Sequence, residues 1–221
     1  MATHEIQLIA AQVAACTLCS LHHGRVKAVP GEGPADAKIM CIGEGPGYHE
    51  DRQGRPFVGA SGQFLDELLG MAGLQRAEVF IANVVKCRPP QNRDPLPDEI
   101  TTCTNAYLFR QVALINPQII VTLGRYSMSL FLPGEKISRI HGQARRIGDR
   151  VVVPMLHPAA ALHQASNRPL IEADFQRLPA LLQQIAQAAA TAAVPPPPPP
   201  TPAPAKTSKP EDPPLEQLKL F

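Results

Sequence analysis

Short apolar runs rich in valine and isoleucine recur along the chain and alternate with stretches of helical pattern. Runs that are apolar throughout are typical of parallel strands covered by helices on both faces. The pattern predicts an α/β fold, a three-layer α/β/α sandwich with a central, mainly parallel four-stranded sheet. The four predicted strands are KIMCIG (38–43), EVFIANVV (78–85), QIIVTLG (118–124) and RVVVPMLHP (150–158).

The composition changes abruptly after Val194, because the remainder of the chain holds 11 of the 25 prolines. We expect a folded domain over residues 1–194, a disordered proline-rich tether over 195–214 and a terminal peptide over 215–221. Neither a secretory leader nor a run of about 18 apolar residues is present, which predicts a cytoplasmic protein without a membrane partner.

Glycine-rich and polar segments follow each predicted strand. In parallel sheets, ligands bind at the carboxyl ends of the strands. These ends carry GEGPG (43–47), NVVKCRPP (83–90), GRYS (124–127) and HPAAAL (157–162). We therefore predict the functional site at this edge, where Gly43 and Gly45 allow the backbone close to a ligand.

The chain has five cysteines, an odd number for a disulfide framework. Cys41 lies in an apolar strand and is interpreted as a buried hydrophobic residue. The other four are better interpreted as metal ligands than as core residues: Cys16, Cys19, Cys87 and Cys103. The reason is that Cys16, Cys19 and Cys87 lie in polar surroundings, where burial gains little. Zinc and an iron–sulfur cluster both suit four thiolates, so the spacing does not choose between them.

Three separated segments, taken together with the four cysteines, resemble the family 4 uracil-DNA glycosylases. They are GEGPGYHEDRQGRPFVGASGQFLDELL (43–69), NVVKCRPPQNRDPLPDE (83–99) and HPAAAL (157–162). The resemblance covers about residues 16–187. It implies a base-excision repair enzyme with a [4Fe–4S] cluster on the four cysteines. Such an enzyme flips uracil out of DNA and hydrolyses its N-glycosidic bond, leaving an abasic site.

A non-catalytic or covalently trapping uracil-DNA-binding module is the alternative. The cross-linking relatives carry a histidine in a longer, basic insertion between the third and fourth cysteines. The corresponding interval here, residues 88–102, contains no histidine. The similar tripeptide Arg139-Ile140-His141 follows the third strand instead, so turnover is expected.

The resemblance also assigns the contacts to uracil. Phe57 matches the residue that stacks on the base, and its polar loop argues against a core role. Asn83 matches the side chain that reads O4 and N3 of uracil, although an asparagine after a strand also serves as a turn cap. Glu50 matches the residue that excludes the methyl group of thymine, and Gly43 and Gly45 contact the base.

His157 matches the catalytic histidine, which donates a hydrogen bond to uracil O2 as negative charge develops there. Glu44 and Asn92 are the candidates for assisting the attacking water. Neither is assigned as the sole general base, because Gly45 occupies the position at which better-known uracil glycosylases carry an aspartate.

The family's DNA contacts map to two segments of the chain. Ala161, Leu162 and His163 correspond to a wedge inserted into the minor groove, and Ser61 to a phosphate contact at a helix N-terminus. Arg139 belongs to a basic cluster with His141, Arg145 and Arg146, which is either a DNA contact or a solvated face.

The last residues are similar to the short peptides that dock bacterial DNA-processing enzymes onto the sliding clamp; an incidental amphipathic end is the alternative. The residues that would bind the clamp are Gln217, Leu218, Leu220 and Phe221. We expect a monomer located at the nucleoid.

Overall fold

The computed structural model describes residues 2–192. Contacts divide the chain into two units, Met1–Gln183 and Gln184–Phe221, and the described part of the second unit is the end of one helix. The predicted tether and clamp-binding peptide lie outside the described residues, so the domain boundaries stay predictions. No helix within residues 2–192 is long and apolar enough to cross a membrane.

Five strands form one sheet in the order β2-β1-β3-β5-β4. They span Ile39–Gly43 (β1), Val79–Asn83 (β2), Ile119–Leu123 (β3), Arg145–Ile147 (β4) and Arg150–Met155 (β5). The four predicted strands are all present and pair in parallel, which confirms the α/β class.

The predicted strand count of four is wrong, because β4 adds an antiparallel edge strand. It has the sequence RRI and lacks the apolar run by which the other strands were identified. Gly148, with a φ of 57°, allows the tight turn that folds β4 back onto β5.

Helices connect and follow the strands. They span Ala2–Ala14 (α1), Tyr48–Gln53 (α2), Ala60–Met71 (α3), Pro97–Cys103 (α4), Phe109–Ile115 (α5), Arg125–Phe131 (α6), Ile137–Ile140 (α7), Ala159–His163 (α8), Arg168–Phe175 (α9) and Leu178–Ala192 (α10). The helical pattern over residues 98–116 is interrupted by a π-helical turn, Thr104–Leu108, that directly follows Cys103. Such turns occur frequently at functional sites.

The central strands are buried along their whole length, as expected for a sheet covered on both faces. Met40 and Ile42 of β1 join Ile9 and Val13 of α1 in the main core cluster. Cys41, which lies between them in sequence, is fully buried, as predicted. Because β1, β2, β3 and β5 are parallel, the segments that follow them emerge at one edge of the sheet.

Candidate functional site

A pocket of about 300 Å³ lies among the segments that follow β1, β2 and β5. It brings together nine of the residues predicted from sequence: Glu44, Gly45, Glu50, Phe57, Ser61, Asn83, Asn92, His157 and His163. Five further residues of the pocket were assigned no individual role from sequence: Pro46, Gly47, Pro89, Arg93 and Ala159. Four of them belong to the segments predicted at the strand ends, and Arg93 lies within the longer quoted segment 83–99.

Gly43, the last residue of β1, packs directly against two side chains of the pocket wall. A Cβ atom at this position would lie 2.5 Å from Asn83 Oδ1 and 2.6 Å from Phe57 Cζ. Real Cβ atoms do not approach other atoms so closely. Asn83 and Phe57 can therefore both pack against residue 43 only because it has no side chain.

Asn83 ends β2 and is buried, with 2% of its surface exposed. Its side-chain oxygen accepts no hydrogen bond from any group in the described part of the chain. A buried acceptor without a partner costs roughly 1–3 kcal/mol, so such groups generally have a reason. The free oxygen is not acting as a turn cap, and it is available to accept an N–H from a ligand in the pocket.

Phe57 adopts a positive φ of 50°, which is unusual for a residue other than glycine. Groups on both sides hold this backbone. Arg76 donates from Nη1 to the Phe57 carbonyl over 3.0 Å, and the next two N–H groups, of Val58 and Gly59, donate to Glu50 Oε1 over 2.9 Å each. The expectation that Phe57 is not a core residue is only partly right, because its ring is 5% exposed and forms a buried part of the pocket wall.

Glu50 lines the pocket and ties two loops together. Its Oε1 atom accepts from the Phe57 loop, and its Oε2 atom accepts from the N–H of Gly47 over 3.1 Å. Three backbone N–H groups thus satisfy a carboxylate that is only 8% exposed. This contact positions the glycine-rich loop relative to Phe57, while exclusion of thymine by Glu50 stays a prediction.

His157 lies two residues beyond β5, and its ring stacks on Phe57 with centroids 5.6 Å apart. The backbone N–H of Ala159 donates to His157 Nδ1 over 3.1 Å. In the neutral imidazole, the proton is therefore on Nε2. Burial lowers the pKa of His157 from 6.5 to about 4, so the ring is neutral at pH 7. It is a neutral hydrogen-bond donor.

The segment after β3 supports this histidine rather than the pocket itself. Gly124 has a φ of 93°, and a Cβ there would lie 3.2 Å from His157 Cβ. The GRYS segment, predicted at the site edge, thus contributes to the site indirectly, because Gly124 packs against His157.

Glu44 and Asn92, the two candidates for assisting water, both line the pocket. Burial, followed by the nearby charge of Asp94, raises the pKa of the Glu44 carboxyl. Asn92 is exposed, and its Oδ1 atom accepts from Arg88 Nε over 2.8 Å. Glu44 therefore has the environment of a proton acceptor, whereas Asn92 is engaged with a neighbouring arginine.

The predicted DNA-contacting residues separate into two groups. Ser61, in the first turn of α3, and His163, at the end of α8, line the pocket, and Leu162 beside His163 is 53% exposed. Ala161 is half-buried on the same short helix. Arg139 lies on α7 and does not line the pocket.

The basic cluster predicted around Arg139 is partly engaged elsewhere. His141 Nδ1 lies 2.5 Å from Asp174 Oδ2 of α9, and Arg145 donates to Gln143. His141 is therefore held by a carboxylate and does not line the pocket.

The four predicted ligand cysteines line one small cavity together with apolar residues of α1 and the following loop. Cys87 and Cys103 are 6% and 8% exposed and belong to the main core cluster, so the expectation of polar surroundings is wrong for Cys87. The core forms because α1, absent from the predicted elements, packs beside α5.

Donors surround the cysteine sulfurs. Arg25 Nη1 donates to Cys87 Sγ over 3.2 Å, and the Lys86 backbone N–H to Cys103 Sγ over 3.3 Å. Hydrogen bonds to thiolate sulfur are a recurring feature of iron–sulfur sites. Sequence reasoning missed both residues. Within residues 2–192, no three His, Cys, Asp or Glu side chains are placed to hold a single metal ion.

The sequence is similar to that of known proteins over most of the folded part of the chain. The family model of the Uracil DNA glycosylase superfamily matches residues 30–186. A Type-4 uracil-DNA glycosylase of Sulfurisphaera tokodaii is 45% identical over 186 residues, covering 80% of this chain and 84% of the relative. The Type-4 enzyme of Thermotoga maritima is 40% identical over 81% of this chain and 95% of its own length. That of Saccharolobus solfataricus is 46% identical, over 80% and 86% respectively.

Proposed function

This chain belongs to the uracil-DNA glycosylase superfamily, and we infer that it is a monofunctional glycosylase that removes uracil from DNA during repair. The observation that carries this function is the convergence of Phe57, Asn83 and His157 on one pocket. Each belongs to a different segment of the chain and supplies one of the three groups that excision requires.

Recognition of uracil follows from the wall formed by Phe57 and Asn83. We propose that the base leaves the DNA stack and lies against Phe57, where stacking on an aromatic ring contributes roughly 1–3 kcal/mol. The free Asn83 Oδ1 atom accepts the N3–H of uracil, and the amide nitrogen donates to O4. Cytosine presents the opposite donor and acceptor pattern at these positions, so it leaves the buried amide unpaired.

Bond cleavage uses the neutral His157. As the bond between C1′ of the sugar and N1 of the base breaks, both electrons move to uracil, and its O2 atom gains negative charge. The Nε2–H group donates to O2 and stabilises this charge more strongly in the transition state than in the bound substrate. Water then adds its hydroxyl to C1′. Glu44, whose raised pKa favours proton acceptance, takes the released proton.

The four cysteines around the second cavity fit an iron–sulfur cluster. The set of four thiols, the apolar lining and the donors from Arg25 and Lys86 all suit such a group. We propose that Cys16, Cys19, Cys87 and Cys103 hold a [4Fe–4S] cluster. When bound, it supplies a scaffold that fixes both ends of the loop carrying Asn92 and Arg93.

An excision assay tests the function. A single-stranded oligonucleotide with one uracil is incubated with the protein and then heated in alkali, which cleaves abasic sites. We expect cleavage at uracil and none at cytosine or thymine in matched oligonucleotides. Binding without an alkali-labile product would favour a non-catalytic module, and a covalent adduct on a denaturing gel would favour trapping.

The spectrum of the anaerobically purified protein tests the cluster. We expect a brown protein with broad visible absorbance and about four irons per chain. A colourless protein that contains zinc would contradict the assignment.

The tail carries a separate proposal that rests on sequence alone. We propose that Gln217, Leu218, Leu220 and Phe221 dock the enzyme onto a bacterial sliding clamp, with residues 195–214 as a tether. We also propose that the enzyme is a monomer at the cytoplasmic nucleoid. Size-exclusion chromatography with purified clamp, with and without the last five residues, tests docking; co-elution unchanged by truncation would contradict it.

A further inference from the structure

An exposed tyrosine in contact with two arginines borders the uracil pocket. Tyr48, the first residue of α2, is 50% exposed and directly follows the pocket residue Gly47. The guanidinium carbons of Arg52 and Arg88 lie 5.6 and 5.3 Å from the centre of its ring. We call these three residues the rim cluster.

The rim cluster is joined to the pocket at two points. Arg88 immediately precedes the pocket residue Pro89, and its Nε atom donates to Asn92, which also lines the pocket. The other contact is the Gly47–Tyr48 peptide at the start of α2. Tyr48 and Arg88 therefore lie at the border of the pocket.

The positive charges of the rim cluster are not neutralised by carboxylates among the described residues. Neither Arg52 nor Arg88 forms an ion pair with a carboxylate in the described residues. The acidic neighbours on α2 are turned inward: Glu50 binds backbone N–H groups, and Asp51, 2% exposed, accepts from the N–H of Val26. The outer side of this helix thus offers positive charge and an aromatic surface.

We propose that the rim cluster is a binding surface for single-stranded DNA, on which a base next to the flipped uracil stacks while the two arginines contact its phosphates. Exposed aromatic rings and guanidinium planes are the groups on which unpaired bases stack. A base within a duplex is already stacked and paired, so the surface favours single strands. This inference rests on the proposed function, which places the uracil-bearing strand at the pocket.

Fluorescence anisotropy with a uracil-free single-stranded oligonucleotide tests the surface separately from excision. Tyr48→Ala should weaken binding roughly tenfold, and Tyr48→Phe should bind like the unchanged protein. Phe109→Ala is the matched control, because Phe109 is 40% exposed on α5 and does not line the pocket. It should bind normally. Thermal melting of each variant shows whether it is folded.

Salt dependence separates stacking from charge. Arg52→Met and Arg88→Met should each reduce the slope of log affinity against log salt by about 0.7, the value for one contact to single-stranded DNA. Tyr48→Ala should lower affinity without changing the slope. In fully paired duplex, Tyr48→Ala should lose less affinity than in the single strand.

The outcomes distinguish this inference from the proposed function. A folded Tyr48→Ala protein that binds single strands as tightly as the unchanged protein would show that the rim cluster is not a stacking surface. An equal loss of affinity for single-stranded and duplex DNA would show the same, whatever the result of the excision assay. If the unchanged protein binds but does not excise uracil, the proposed function fails, while the binding comparison still decides the role of Tyr48.

Discussion

The rings of Phe57 and His157 stack on one another, with centroids 5.6 Å apart and planes inclined by 28°. Phe57 comes from the loop between α2 and α3, and His157 from the segment after β5, so residues 100 positions apart share one pocket wall. Contact with Phe57 fixes the orientation of the histidine ring, and the Ala159 N–H fixes its tautomer. The Nε2–H group that we propose as the donor to uracil O2 is thus held in place within the folded protein.

Gly43 should tolerate no side chain. In Gly43→Ala, the new Cβ would displace Asn83 Oδ1 and the Phe57 ring, so we expect the kcat/KM for uracil excision to fall roughly 100-fold. Steady-state kinetics measures this. Gly70→Ala is the control, because a Cβ at that position in α3 meets no atom within 4 Å and alanine favours helix. A Gly43→Ala enzyme as active as the control would contradict the described wall.

Glu50→Gln should destabilise the protein. The three N–H groups that donate to the carboxylate would face one N–H₂ group of the amide, and we expect a loss of about 1–3 kcal/mol in the free energy of unfolding. Urea denaturation measures it. Because glutamine has nearly the same size, thymine should still be excluded. Unchanged stability would show that the carboxylate does not hold the two loops.

His157 should contribute no inflection near pH 6.5 to the rate of excision. His157 has a pKa of about 4 and stays neutral, whereas burial raises the pKa of Glu44 above its ordinary value of 4.5. Lowering the pH should therefore protonate Glu44 and slow the reaction, and Glu44→Gln should abolish this acid limb. Single-turnover rates across the acid range measure it. An inflection near 6.5 that disappears in His157→Gln would contradict the neutral histidine.

The free energy of unfolding should also depend on pH through His157. The unfolded chain protonates His157 near pH 6.5, but the folded protein does so only near 4, so the unfolded state binds more protons between these values. Stability should fall as the pH is lowered through this window. The fall should be smaller in His157→Gln, and equal slopes in both proteins would argue against burial as the cause.

Only four of the five cysteines should be needed for iron. Serine at Cys16, Cys19, Cys87 or Cys103 should reduce the visible absorbance and the iron content, and the melting temperature should fall because residues 88–102 lose an anchor. Cys41→Ala should keep its iron, since burial raises the pKa of this thiol to about 12 and Cys41 lies outside the cavity. Full iron content in Cys16→Ser would refute the ligand set.

The sequence predicted those parts of the fold and site that local pattern encodes. Apolar runs located the four parallel strands, and the rule of ligand binding at strand ends located the pocket. β4 was not predicted because its sequence, RRI, has no apolar pattern. This strand forms through its pairing with β5. The positive φ of Phe57 and its clamping by Arg76 and Glu50 depend on contacts between distant segments, which no local pattern shows.

The contacts that support Asn83 could not be predicted from the sequence either. Lys86 is 1% exposed, and its Nζ atom donates to the Asn83 carbonyl and to Gln111 of α5. In the sequence a lysine suggests an exposed charge, whereas in the structure Lys86 is buried and contacts Gln111, a residue 25 positions away. Lys86 thereby links the backbone of Asn83 to Gln111.

The most direct test of the account is single-turnover excision by Asn83→Ala and His157→Ala, measured beside their affinities for uracil-containing DNA. We expect His157→Ala to slow the chemical step by roughly 100-fold or more while DNA binding changes little. Asn83→Ala should lose much of its preference for uracil over cytosine. If both variants excise uracil at the rate of the unchanged enzyme, or lose rate and binding equally, the roles assigned to this pocket are wrong.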